Sequence, residues 1–312
     1  MDVRRWLKGN LHTHTVRSDG DATVAQAAAF YAERDYDFLA ITDHNRFLRP
    51  DEIPPAPPTP GFVLIGGSEL SGKAMLTMGV PAPVDVCCLG GFAADPSALA
   101  GLVPRTPAQA VRARVAAARA AGGLPMVCHP CWKWALAADD LLTLDGEFLL
   151  EVFNASRDCN NWPAGGGDSP EEIWSTLLSA GRKVWATATD DAHRLAQPTV
   201  PAIDGGAVAW VRVDAAGRTE PAILQSLAAG KFYSSTGVEL EELDLGPETY
   251  RVQIAPIKDR RYTTVFLGRD NRELARAFGL SAAWPIRGDE GFVRARIEDT
   301  AGCRCWTPPQ FV

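Results

Sequence analysis

The chain reads as an α/β protein: a sheet of largely parallel strands, closed or nearly closed with helices outside, followed by a small β-rich region. Three observations predict this. Apolar, β-prone runs alternate with helical runs over roughly the first 235 residues. Several of those runs end in a short polar string carrying His, Asp or Glu, and the strand ends are where α/β barrels place their chemistry. From residue 239 onward helical pattern nearly disappears, and short strand-like runs separated by turn residues take over.

Taken in order, residues 6–11 form a first strand. Residues 23–34, rich in alanine, form a helix capped by Thr23. A strand at 37–42 leads into residues 50–60, whose six prolines enforce an extended loop. Strands follow at 62–65 and 84–89. Thr106-Pro107 opens a helix that Gly122-Gly123 stops. A strand at 124–128, a short helix at 135–142 and a strand at 148–153 that carries Glu151 come next. The Ser169-Pro-Glu-Glu172 start opens a helix to residue 180, and strands at 183–189 and 207–213 follow it. Thr219 caps a helix over 220–229, and a strand lies at 232–235. In the tail, residues 250–254, 263–267, 291–297 and 303–306 read as strands, and 273–278 as the one helix. The expected division is 1–238 for the large unit and 239–312 for the small one.

Composition bounds the function. At 312 residues, 46% hydrophobic and 22% charged, the chain can bury a large core. A formal net charge of −7 argues against a nucleic-acid polymer as partner. Seven cysteines at irregular spacing read as reduced thiols, and Cys128-His-Pro-Cys131 lacks the second pair that a zinc ribbon needs. With no leader-like apolar core and no membrane-length apolar run, the expectation is a cytoplasmic protein. Oligomeric state is not encoded in any recognisable pattern.

The chemistry begins at Asn10-Leu-His-Thr-His-Thr-Val-Arg-Ser-Asp-Gly20. Residues two apart on a strand share a face, so His12 and His14 can reach one point, and Asp19 follows in a Ser-Asp-Gly turn. The chain holds only five histidines, and all end a β-prone run: His12, His14, His44 in Asp43-His-Asn45, His129 before Pro130, and His193 in Asp190-Asp-Ala-His193. Glu69 ends a further run. Imidazole and carboxylate are the ligands of zinc, manganese and iron sites.

Together these strings resemble the PHP superfamily (polymerase and histidinol phosphatase). His-x-His with Ser-Asp-Gly, Thr-Asp-His-Asn, a Glu after a strand, His-Pro and Asp-x-His occur in the family's order across residues 10–235. The tail string Arg296-Ile-Glu-Asp-Thr-Ala-Gly-Cys-Arg-Cys-Trp-Thr-Pro-Pro309, with Gly230-Lys-Phe-Tyr-Ser-Ser-Thr-Gly237, resembles the carbaryl-hydrolase-like branch. The resemblance implies a distorted (β/α)7 TIM-like barrel with two or three divalent metal ions (Zn, Mn or Fe) at its mouth. By that likeness His12, His14, Glu69 and Asp191 hold one ion, and Glu69 bridges to a second that takes His129. Asp19, His44 and His193 hold a third position. Asp43 and Asp190 would orient imidazoles from behind. Some relatives have a further histidine after the strand that corresponds to 148–153. None is left here, and Asn154 is the residue at hand.

Two adjacent divalent ions activate a water and clamp the attacking and leaving oxygens. The expected activity is therefore hydrolysis of a small phosphorylated metabolite, nucleotides included, with Arg17, Lys133 and Arg194 as candidate phosphate-binding or charge-stabilising cations. Trp132 and Trp134 could wall a base or aryl group. The alternative is a carbamate or carboxylic-ester hydrolase on the same site.

Overall fold

The computed structural model describes residues 6–54, 57–75, 79, 81–91, 104–196 and 206–312. Strands β1 (Leu7–Asn10), β2 (Phe38–Ile41) and β3 (Val63–Leu70) run parallel, as do β7 (Leu124–Val127), β8 (Phe148–Asn154) and β9 (Val184–Thr189). Between β3 and β7 stands β6 (Val86–Leu89), antiparallel to both. A short hairpin, β4 (Lys73–Met75) with β5 (Pro81–Pro83), precedes it. On the other side of β1, β10 (Trp210–Val213) pairs with it antiparallel, and β11 (Phe232–Ser235) pairs antiparallel with β10. The sheet is thus mixed, where a parallel one was expected.

The hydrogen-bonded ladder does not close, because among the described residues β9 pairs only with β8. The sheet curls nonetheless. Thr13 and Ala192 form an isolated parallel bridge, the His14 N–H donates to the Ala192 carbonyl at 2.9 Å, and Ser234 Oγ donates to the Ala186 carbonyl at 2.7 Å. One apolar cluster takes a buried side chain from each of β1, β2, β3, β6, β7, β8, β10 and β11, among them Leu7, Phe38, Ile65, Met126, Leu149 and Val211. It fills the inside of the curl. Gly9 is obligatory here, since a Cβ would lie 2.2 Å from the Phe38 ring.

The helices start where their caps dictate. Thr23 and Gln26 form a capping box on α1 (Val24–Ala32), and Ser169 and Glu172 form one on α4 (Pro170–Ser179). Thr106 and Thr219 cap α2 (Pro107–Ala120) and α5 (Glu220–Ala228), each with Pro in the first turn. The expected helix at 135–142 shortens to α3 (Ala138–Leu142), and a 3-10 turn at Trp132–Trp134 precedes it.

The tail is more strand-rich than its sequence pattern. It contains β12 (Leu240–Leu245), β13 (Thr249–Ile254), β14 (Tyr262–Leu267), β15 (Glu273–Phe278), β16 (Ser281–Pro285), β17 (Phe292–Asp299), β18 (Arg304–Trp306) and β19 (Gln310–Phe311). Residues 273–278, expected to be helical, form β15 because they pair along β14, and tertiary pairing overrides their helix propensity. β18 pairs with β11, so β14, β15, β17 and β18 continue the large sheet, while β12, β13 and β16 form a separate one. A distinct apolar cluster containing Tyr250, Val252, Phe266 and Ile297 lies among these strands. Among the described residues no helix is long and apolar enough to cross a membrane.

Candidate metal centre

The parallel strands deliver their polar strings to one end of the sheet. Asn10 ties the first string to the last. Its amide bonds the His12 carbonyl, Thr13 Oγ1 and Tyr31 Oη at 2.7–3.1 Å and accepts the Asp190 N–H at 3.0 Å. Asp190 accepts the backbone N–H groups of residues 207–209 and the Tyr31 hydroxyl. Asp43 accepts the Thr15 N–H and hydroxyl and the Ser18 hydroxyl, all at 2.8 Å. Both carboxylates, expected to orient imidazoles, fasten loops instead.

The orienting carboxylate is Glu151. Its Oε1 meets His12 Nδ1 at 2.7 Å and Thr189 Oγ1 at 2.7 Å, and its Oε2 accepts the His129 N–H at 2.7 Å. That fixes the His12 proton on Nδ1 and aims Nε2 at the cluster. His193 is held the same way, with Nδ1 2.8 Å from the Asp191 carbonyl. His129 and Asp191 have left-handed φ values of 25° and 50°, a strained backbone of the kind that sites retain.

Glu69 is the hub. Its Oε1 lies 3.1 Å from His129 Nε2 and 3.5 Å from His12 Nε2, and its Oε2 lies 2.8 Å from His44 Nδ1 and 3.5 Å from His14 Nε2. Asp191 Oδ1 stands 3.3 Å from His12 Nε2 and 3.1 Å from His14 Nε2. Asp19, half exposed, stands 3.4 Å from His44 Nε2 and 3.5 Å from His193 Nε2. All eight predicted metal-ligating residues therefore meet in one cluster.

Two features match a cation. His12 Nε2 and His14 Nε2 face each other at 3.2 Å, two ring nitrogens turned onto one point. Glu69 Oε2 is buried, and its nearest donor, His44 Nδ1 at 2.8 Å, is a nitrogen that also meets Ser71 Oγ at 2.6 Å. An ion with bonds of about 2.1 Å would have ligand–ligand edges of about 3.0–3.4 Å, close to the separations around His12 and His14. Burial opposes charge throughout. Even so, the imidazoles hold the Glu69 carboxyl well below its usual range and lower that of Asp191, led by His12 in both cases. Against the same burial, hydrogen bonding to Glu69 raises His44 and His129 to about 9. His14, where burial dominates, is lowered. The residues fit divalent ions.

Sequence reasoning missed Asp85. It is buried, its Oδ1 accepts the Gly72 N–H at 3.0 Å, and its Oδ2 lies 3.9 Å from His129 Nε2. Burial and then the Glu69 charge push its carboxyl up to about 6. Because β6 runs antiparallel, the residue before it lies at the same end of the sheet as the residues after the parallel strands. Asn154, the substitute expected near this position, instead turns its amide onto Glu151 Oε2 (3.0 Å) and Asp191 Oδ2 (3.2 Å).

No family model matches the chain, and no curated protein matches it. Among solved structures it overlays on a two-domain protein from Bacteroides vulgatus containing a predicted PHP-like metal-dependent phosphoesterase. The TM-score is 0.51 at 15% identity, over 96% of this chain and 91% of that one. The fold is PHP-like. An amidohydrolase from Chromobacterium violaceum overlays with TM-score 0.37 at 15% identity, over 61% and 88% of the two chains.

Around this cluster the predicted cations are placed unevenly. Arg17 is committed elsewhere: its guanidinium bonds both Glu52 oxygens at 2.8 and 3.0 Å and the Phe47 carbonyl at 2.8 Å. Lys133 is exposed, with Nζ 5.2 Å from the Trp132 ring, and Arg194 is exposed beside His193. Trp132 packs edge-on against the His129 imidazole at 5.1 Å. Trp134 is 45% exposed and packs near Gly167, so the triple-glycine loop lies against it. Cys128 and Cys131 are both free, Cys128 beside Cys87 Sγ at 3.3 Å and Cys131 on the Asp168 carbonyl.

Proposed function

We propose that the protein is a metal-dependent hydrolase that cleaves phosphoric esters of small metabolites, nucleotides among them, with its ions held by residues of the 1–238 unit. The observation that carries the reading is the meeting of five imidazoles, three of them buried, with the buried Glu69 and Asp191, including the opposed His12 and His14 nitrogens. His12, His14, Glu69 and Asp191 would hold one ion, Glu69 and His129 a second, and Asp19, His44 and His193 a third, with Zn, Mn and Fe all suited to such donors. When bound, divalent ions would acidify a water and neutralise charge on the phosphoryl oxygens. The chain's own part is to hold the cluster rigid. Glu151 and the Asp191 carbonyl aim the imidazoles of His12 and His193, and Trp132 covers one edge of His129. Exposed Arg194 and Lys133 are the cations free to meet a phosphate group at the rim.

A second reading, a carbamate or carboxylic-ester hydrolase, draws support from one observation. Arg17 is spent on Glu52, which leaves the rim poorer in cations than phosphate binding favours. One experiment separates the two: metal content of the purified protein, with release of phosphate from nucleotides and sugar phosphates in added Mn, and p-nitrophenyl phosphate against p-nitrophenyl acetate. Two or more ions with phosphate release is the expected result. Ions with acetate-ester cleavage alone would transfer the assignment to the second reading, and a protein that binds no divalent ion would end both.

A further inference from the structure

We propose that Asp85 makes one corner of the cluster a hard-cation position, which keeps manganese or magnesium when the nitrogen-rich positions hold zinc. The inference rests on the metal-centre reading above and concerns which ion goes where. Ligand atoms of Glu69, Asp85 and His129 lie within 4.8 Å of one another, and all three residues are buried. Asp85 is anchored through Oδ1 on the Gly72 N–H at 3.0 Å, which leaves Oδ2 on the His129 side. Glu69 Oε1 stands 3.1 Å from the same imidazole nitrogen.

The donor sets differ in kind. At the Asp85 corner two carboxylates meet one imidazole. On the opposite side His14, His44 and His193 surround the single carboxylate of Asp19, and in the middle His12 and His14 face each other. Carboxylate oxygen suits magnesium and manganese, whereas imidazole suits zinc. The Asp85 Oδ2 to His129 Nε2 separation of 3.9 Å also exceeds the 3.1–3.3 Å between Asp191 Oδ1 and its two imidazoles, leaving room for a six-coordinate ion that keeps water among its ligands.

Zinc outranks manganese at any shared site, so the selectivity shows as an order of displacement rather than as exclusion of zinc. The test is to strip the purified protein with chelator, load it with Mn(II), and titrate Zn(II) while following bound manganese by electron paramagnetic resonance and by metal analysis after desalting. Wild-type protein is expected to surrender manganese in two stages, with about one equivalent persisting after the nitrogen-rich positions have exchanged. Asp85→His should abolish the lag while total bound metal stays the same. Asp85→Asn, nearly isosteric, should lose the persistent manganese without losing zinc. Simultaneous displacement of all manganese from the wild type, or a lag untouched by Asp85→His, overturns the proposal. Failure of the wild type to bind either ion would instead overturn the metal-centre reading on which it rests.

Discussion

Two buried polar clusters in this molecule invite comparison. One lies where the tail meets α4. Arg294, fully buried, donates to Glu171 Oε1 at 2.9 Å and Ser175 Oγ at 2.8 Å, and Trp306 Nε1 donates to Glu171 Oε2 at 3.0 Å. The other is the cluster around Glu69. In the first, two cations, Arg294 and Arg296, answer one carboxylate, and the spare groups, the two arginine Nε atoms, are donors. In the second, Glu69, Asp85, Glu151 and Asp191 converge on imidazoles whose ring nitrogens also face one another. Buried charge is costly unless compensated, so a cluster whose carboxylate is answered by fixed arginines serves the fold, while one in which carboxylates outnumber fixed cations calls for an ion. Burial alone does not distinguish the two; the balance of donors and acceptors does.

The largest effect should come from His14→Ala, which removes a ligand from the middle of the acceptor-rich cluster. Hydrolysis and metal content should both collapse, beyond the ~100-fold upper range for an outer partner, while circular dichroism stays native. Full activity in this variant would break the site assignment. Arg294→Met should do the reverse. Leaving buried Glu171 with only Arg296 and the Trp306 N–H should cost up to ~3–5 kcal/mol in urea unfolding, with metal stoichiometry unchanged. If Arg294→Met also emptied the metal centre, the two clusters would not be the independent units that the comparison makes them. Glu151→Gln should lower metal affinity by ~10–100-fold by loosening His12 without removing a ligand. Unchanged affinity in a titration with a chelating dye would remove Glu151 from its orienting role.

The acceptor-rich cluster should also be legible in pH. In metal-free protein burial works against the charged imidazoles, but bonding to Glu69 raises His44 and His129 to about 9. A group raised on folding stabilises fully below its unfolded pKa, about 6.5, and that contribution is lost as pH climbs through about 9. The Tm of chelator-treated protein should therefore fall between pH 6.5 and 9, and metal loading should flatten that dependence because ions take the protons' place. A metal-free protein whose Tm is level over this range would contradict the arrangement around Glu69.

Much of this was readable from residues. Each histidine, Glu69 and Asp191 follows an apolar run, and the helix starts at Thr23, Thr106, Ser169 and Thr219 were marked by their caps, because both signals are local. Asp85 was hidden by strand direction. A reading that assumed parallel strands looked only after each strand, and nothing local told that β6 is reversed. Glu151 was visible as a charge inside the apolar run Phe-Leu-Leu-Glu-Val-Phe, and a buried carboxylate in such a run needs a partner, but the partner, His12, is 139 residues away. Residues 273–278 carry helix formers and an Arg276–Glu273 pair at helical spacing, so only their pairing with β14 reveals a strand.

The partner of Arg17 was hidden for the same reason, since Glu52 lies 35 residues on, in the proline-rich loop. The pairing fixes the smallest predicted effect. The Arg17 guanidinium bonds Glu52 through both oxygens and holds its carboxyl down at about 2. Partly exposed pairs of this kind contribute ~0–1 kcal/mol, so Arg17→Gln should shift the urea midpoint only slightly. Turnover of phosphate and carboxylic esters should be unaffected. Arg194→Gln, which alters an exposed cation at the rim, should impair phosphate-ester turnover more than carboxylic-ester turnover. Measuring both variants on p-nitrophenyl phosphate and p-nitrophenyl acetate sharpens the contrast between charge used for the fold and charge free for a ligand. A selective loss of phosphate-ester turnover in Arg17→Gln would show that the guanidinium leaves Glu52 when an anion arrives, and the ion pair would then be a resting state of the site rather than a fixture of the fold.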